Sequence, residues 1–257
     1  MSFANTTVVL YGAALIAVFL LVSLATKEKT ERGRLFLFWG MSSVIIFVTL
    51  FLTLDTIFEN RASVTKGPVH WHADFQISVC GKSPDVETAA PDEGHDDGHS
   101  EGEDEHREVD LKDPDGLANR IGSPLLHEHG DGRIHIEGTV ADLSDVTLAK
   151  FIESTGGEMS GDSLTLPTNE GVLTLENGQA CPDGSRGEIQ VFRYRTEGNL
   201  VFQDKLADFP NYVISPHAVI PPGDCLILEF TEPKEKTDRI CGFYQIALDK
   251  GDLEYGN

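Results

Sequence analysis

The chain has 257 residues, with 42 acidic against 20 basic side chains and a formal net charge of -22. So negative a surface excludes nucleic acid and anionic lipid headgroups as natural partners, because phosphates need Lys and Arg in place of their counterions. Cations are the natural company, and the length is enough for one or two domains with a core of their own.

Two uncharged stretches open the chain, TTVVLYGAALIAVFLLVSLA (6–25) and LFLFWGMSSVIIFVTLFLTL (35–54). At about 1.5 Å per helical residue, each matches the roughly 30 Å of hydrocarbon in a bilayer. The start MSFANTT lacks the basic residue of a signal peptide, so both are expected to be retained helices. Between them KEKTERGR carries Lys27, Lys29, Arg32 and Arg34. A short basic loop belongs in the cytoplasm, which puts both termini and everything from about Asn60 outside. The expected division is a two-helix anchor over 1–60 and an extracytoplasmic domain over 61–257. Neither helix carries an intramembrane charge to mark an ion path, which argues against transport.

The outer domain begins with HWHADFQISVC (70–80). Strand alternation sets Trp71, Ala73, Phe75, Ile77 and Val79 on one face, with His70, His72, Asp74, Gln76 and Ser78 on the other. The first face is core. The second holds two imidazoles about 6 to 7 Å apart, within reach of one ion. Residues 83–110 come next, with twelve Asp or Glu and one Arg, and with His95, His99 and His106. They lack the apolar side chains to offset ordering entropy, so a mobile, solvated loop is expected there, with weak capture of cations by its histidines as the alternative.

The segment PLLHEHGDGRIHIEGTV (124–140) reads as a β-hairpin turning at Gly130 to Gly132. Ile134 and Ile136 take the core side, so His135 and Glu137 emerge on the polar one with His127 and His129. If this hairpin lies beside the first strand, four or five histidines meet on one patch of sheet. Neutral imidazole is a ligand for zinc and copper, and strand-rooted ligands lose little entropy on binding. Asp74, Glu128, Asp131 and Glu137 are candidates for a further ligand or for the acceptor that fixes a histidine tautomer. A single exposed HxH pair would be an ordinary solvated strand face; two such pairs with a third histidine across a turn favour a metal site. His217, after a proline, reads as an ordinary loop residue.

Downstream, Ser144 to Thr155 has a capped helical pattern stopped by Gly156 and Gly157. Strands are expected at SLTL, GVLTL, EIQVFRYR, DCLILEF and, near the end, CGFYQIAL. Strands, one helix, then more strands indicate α+β. The expected fold is a mixed sheet of five to seven strands on that helix, β-grasp-like in arrangement, with a β-sandwich carrying an incidental helix as the alternative. The four cysteines, Cys80, Cys181, Cys225 and Cys241, all fall in the outer portion, and without a CxxC spacing they favour two disulfides. Three pairings exist; Cys225 and Cys241 flank what reads as a hairpin and are preferred, leaving Cys80 with Cys181.

HWHADFQISVCG followed by LLHEHGDGRIHIEG resembles a set of bacterial and archaeal envelope proteins that share an HWHA, CG and H-x-H-GDG-x-I-H-I pattern. The likeness spans roughly residues 68–140, with PPGDCLILEF as a further match, and it brings no activity with it. The residues favour a membrane-anchored module binding zinc or copper, with the bilayer, the ion and an envelope protein or a second copy as partners. The alternatives are a zinc-dependent hydrolase or hydratase and an envelope assembly protein stapled by a structural metal. Against an enzyme, there is no nucleophile motif, no HExxH helix and no phosphate loop.

Overall fold

The computed structural model describes residues 3–26, 30–83, 121–168, 171–214, 221 and 223–256. The acidic segment with His95, His99 and His106, and also His217, lie outside them. Contacts divide the chain into two units, Met1–Lys66 and Gly67–Asn257.

The first unit is a pair of helices, α1 (Phe3–Thr26) and α2 (Glu31–Ala62), both long and apolar enough to cross a membrane. Thr30 caps α2, its hydroxyl accepting from the Gly33 amide at 3.2 Å. At 32 residues α2 is about 48 Å long, so it outruns the apolar stretch expected from sequence and continues to Ala62.

The second unit is α+β. Its strands are β1 (Pro68–Val79), β2 (Ile121–Gly122), β3 (Leu126–Glu128), β4 (Arg133–Thr139), β5 (Glu158–Met159), β6 (Ser163–Thr168), β7 (Gly171–Glu176), β8 (Glu188–Glu197), β9 (Leu200–Leu206), β10 (Cys225–Thr231) and β11 (Glu254–Tyr255). Two helices join them, α3 (Leu148–Ser154) and α4 (Gly242–Lys250). The main sheet has the order β11-β9-β8-β10-β1-β4-β3-β2, and β5-β6-β7 form a second, smaller sheet. The main sheet is mixed: β1 runs parallel to β10 and antiparallel to β4.

Both faces of the sheet's middle are covered. On one, Ala73, Ile77, Ile134, Ile136, Leu226 and Leu228 pack with Phe151 and Ile152 of α3 and with Leu164 and Leu166 of the small sheet. On the other, Phe192, Tyr194, Cys225 and Ile227 pack with Tyr244 and Ala247 of α4. Burial on both sides explains why CLILEF is an unbroken apolar run apart from Glu229.

Several expectations change here. The arrangement shows no clear β-grasp, and the strands divide between two sheets. CGFYQIAL holds a helix, not a strand: Tyr244 and Ala247 are buried at helical spacing while Phe243 and Ile246 face out, and Gly251 at φ 79° stops it. The expected helix at 144–155 is a 3-10 turn over Leu143–Val146 followed by α3, because Thr147 breaks the run to cap α3 through its hydroxyl. The disulfides are Cys80–Cys181 and Cys225–Cys241. The second joins the start of β10 to the start of α4, so it does not flank a hairpin.

Candidate metal centre

The polar face of β1 meets the polar face of β4 in a register that aligns the histidines. His72 pairs with His135, His70 with Glu137, and Asp74 with Arg133. On the far side of β4, His127 of β3 also pairs with His135. The hairpin between β3 and β4 turns on Gly130 and Gly132, at φ 80° and 72°, values that favour glycine. A second glycine device fixes the other side of the site. A Cβ on Gly223, at φ 86°, would stand 1.6 Å from the carbonyl oxygen of His72. Only a bare backbone lets the loop entering β10 approach β1 closely enough for the Asp74 amide to donate to the Asp224 carbonyl at 2.8 Å.

His135 is the hub of the resulting row. Its ring centroid lies 4.7 Å from that of His72 and 4.6 Å from that of His129, both edge-on, and 5.6 Å from that of His127, stacked. His70 sits 4.5 Å from His72 at the exposed end. Two sets of donor atoms, each within 4.8 Å of one another, come from this row: His127, His129, His135 and Glu137, and His70, His72 and His135. Exposure runs from His70, with 60 % of its side chain exposed, to His127, with none, and His129 is half-buried.

The carboxylates divide by role. Asp131 Oδ2 lies 3.1 Å from His135 Nε2. With the proton on Nε2 donating to that carboxylate, Nδ1 keeps its lone pair, and this buried nitrogen has no hydrogen-bond partner among the described residues. Burial would raise the Asp131 carboxyl, but the hydrogen bond and charge of His135, then the Arg133 amide and guanidinium, bring it below its ordinary value. Glu137 turns Oε1 to His70 Nε2 at 3.3 Å and Oε2 to His127 Nε2 at 3.8 Å.

Asp74 and Glu128 make contacts of their own. Asp74 pairs with Arg133 at 2.8 Å, and burial pushes its carboxyl up to about 6 against the pull of that guanidinium. Glu128 stands between two histidines in sequence and so points to the opposite face, where its carboxylate accepts from the Gly130 amide at 2.6 Å. Arg133 was absent from the expected site, although alternation puts it in line with His135 and Glu137. Its guanidinium lies over the Phe243 ring at 4.2 Å, at the boundary between the α4-covered part of the face and the histidine row.

Burial first, then the positive potential of His135, Arg133 and His70, lowers the His72 imidazole to about 4. It is therefore neutral, with a lone pair to give, throughout the physiological range. Five imidazoles and a carboxylate on three adjacent strands and the turn that leaves β3 are a donor set suited to a transition metal and poorly suited to a hard, oxygen-seeking cation.

No family model, curated protein or solved structure matches the chain. The donor geometry therefore carries the functional reading.

Proposed function

We propose that this is a membrane-anchored protein whose extracytoplasmic domain binds zinc or copper through the histidines of β1, β3 and β4, for metal handling or to stabilise the domain. The observation that carries it is His135. Its Nε2 is held by Asp131, its buried Nδ1 has no hydrogen-bond partner among the described residues, and His72 on β1 and His129 just past β3 flank it. Leaving a buried imidazole nitrogen unsatisfied costs about 1 to 3 kcal/mol, which a metal bond at that atom offsets.

The anchoring and orientation rest on separate support. Two apolar helices with a basic connection favour a cytoplasmic loop, and two disulfides fit an oxidising compartment on the far side. The likeness of HWHA and H-x-H-GDG-x-I-H-I to envelope proteins agrees with this placement, with the bilayer and an envelope protein or a second copy as the partners in view.

The test is metal content. Full-length protein purified in detergent and dialysed against a weak chelator should retain zinc or copper at one ion per chain or more by elemental mass spectrometry. The His72→Ala, His129→Ala, His135→Ala variant, with both disulfides intact, should retain none in the row. Equal metal in the two proteins would sink the proposal.

A further inference from the structure

The row offers more donors than one ion takes. A tetrahedral zinc or copper uses four ligands, and here five imidazoles and a two-oxygen carboxylate lie together. The two donor sets share only His135. A neutral imidazole has one lone pair, and with Nε2–H committed to Asp131, His135 serves one ion through Nδ1. A single ion would leave either His70 and His72 or His127 and His129 idle.

We infer that the row holds two ions side by side, bridged by Glu137, an inference that rests on the metal-binding reading above. The inner ion takes His127, His129, His135 and Glu137 Oε2, a complete set of four from the buried end. At the outer end, where His70 and His72 are grouped with His135, the commitment of His135 to the inner ion leaves its place to Glu137 Oε1, 3.3 Å from His70 Nε2, and the remaining position of the outer ion faces the solvent that reaches His70. A carboxylate whose two oxygens face different histidines is the arrangement that spans ions about 3.5 to 4 Å apart in two-metal sites. Electrostatics permits the second ion: Glu137 lies between the two positions, Asp131 lies behind His135, and the chain carries a charge of -22.

The two positions differ in chemistry. A closed inner set retains its ion and has no place for a reactant, whereas an outer ion with three protein ligands binds water or another small donor ligand and exchanges readily. A water on such a zinc loses its proton near neutral pH.

Chelator-stripped full-length protein in detergent is titrated with Zn²⁺, freed of excess by gel filtration and counted for metal. The wild type should hold two ions, His70→Ala with His72→Ala one, and the His95→Ala, His99→Ala, His106→Ala variant two, which assigns both ions to the row. With Cu²⁺ as the probe, paired ions give a half-field electron paramagnetic resonance signal, and this should vanish in the His70, His72 variant although one ion remains. One ion in the wild type overturns the pair and leaves single-ion binding standing. Two ions of which one is lost with His95, His99 and His106 also overturn it. No ion at all removes the metal-binding proposal with it.

Discussion

The same face of the main sheet carries two groups of buried polar side chains, one at each end of β1, and they are built differently. At the far end Ser78 of β1 lies beside Glu229 of β10. There Glu229 accepts from Thr237 at 2.7 Å and pairs with Lys234 at 2.6 Å, with Arg239 at 3.6 Å, so its charge is neutralised within the protein. At the near end, about 20 Å away, the histidine row places imidazoles against imidazoles. Like groups that repel when protonated do not compensate one another. The first arrangement balances its charge within the protein; the second sets two carboxylates, Asp131 and Glu137, against five imidazoles, and on the proposed reading a cation takes the remaining lone pairs.

The sharpest way to break the supporting end is to open its disulfide. Cys80 follows β1 and is joined to Cys181 across a sequence separation of 101. On loop-closure entropy, Cys80→Ser with Cys181→Ser should cost about 4 to 5 kcal/mol, seen as a lower thermal midpoint of the full chain in detergent. Cys225→Ser with Cys241→Ser, across 16 residues, should cost about 3 kcal/mol. Glu229→Gln should cost about 3 kcal/mol, the low end for breaking a buried pair, because Lys234 is one-third exposed and turns to water. Glu229→Gln should not change the number of ions bound. A change in that number would mean that the two ends are coupled.

At the histidine end the expected order reverses. Metal-free His72→Ala should lie within about 0.5 kcal/mol of wild type, since the ring gives up little beyond its repulsion. Zinc at a hundredfold excess over its dissociation constant should stabilise the wild type by about 2.7 kcal/mol, and the His72→Ala, His129→Ala, His135→Ala protein should lose that gain. Differential scanning of each protein with and without zinc reads both effects. A triple-histidine variant still stabilised by zinc would move the binding elsewhere.

This contrast was only partly legible in the sequence. Alternation in HWHADFQISVC and RIHIE was enough to put the histidines on one face, because strand periodicity is local. The same alternation puts Glu128, a candidate ligand by its nearness in sequence, on the side opposite the two histidines that flank it. What local pattern does not contain is the neighbour across the sheet. The parallel docking of β10 on β1 buries Asp74 and Ser78, and it joins residues about 150 positions apart in sequence. The helix in GFYQIALDK was hidden for another reason: a short apolar run fits either period, and only the sheet face it covers decides.

A pH series separates the two ionisable groups that adjoin on β1, His72 and Asp74. Unfolded, His72 binds its proton near the ordinary 6.5; folded, only near 4. Between these values the unfolded chain holds more protons, so His72 makes stability fall as pH drops from about 6.5 to 4 and adds no further loss below that. Asp74 acts in the opposite sense. Its folded value of about 6 lies above the unfolded 3.8, so the folded chain holds more protons and its contribution falls as pH rises from 3.8 to 6. In the metal-free wild type the two contributions oppose each other between pH 4 and 6. Asp74→Asn should expose the histidine, so that this variant loses more stability than wild type on acidification from pH 6 to 4. His72→Ala should expose the aspartate and lose less. Thermal midpoints of the three metal-free proteins across that range check this, because groups common to all three cancel in the differences. Parallel curves would mean that neither side chain feels the burial and the charges that surround it in the row.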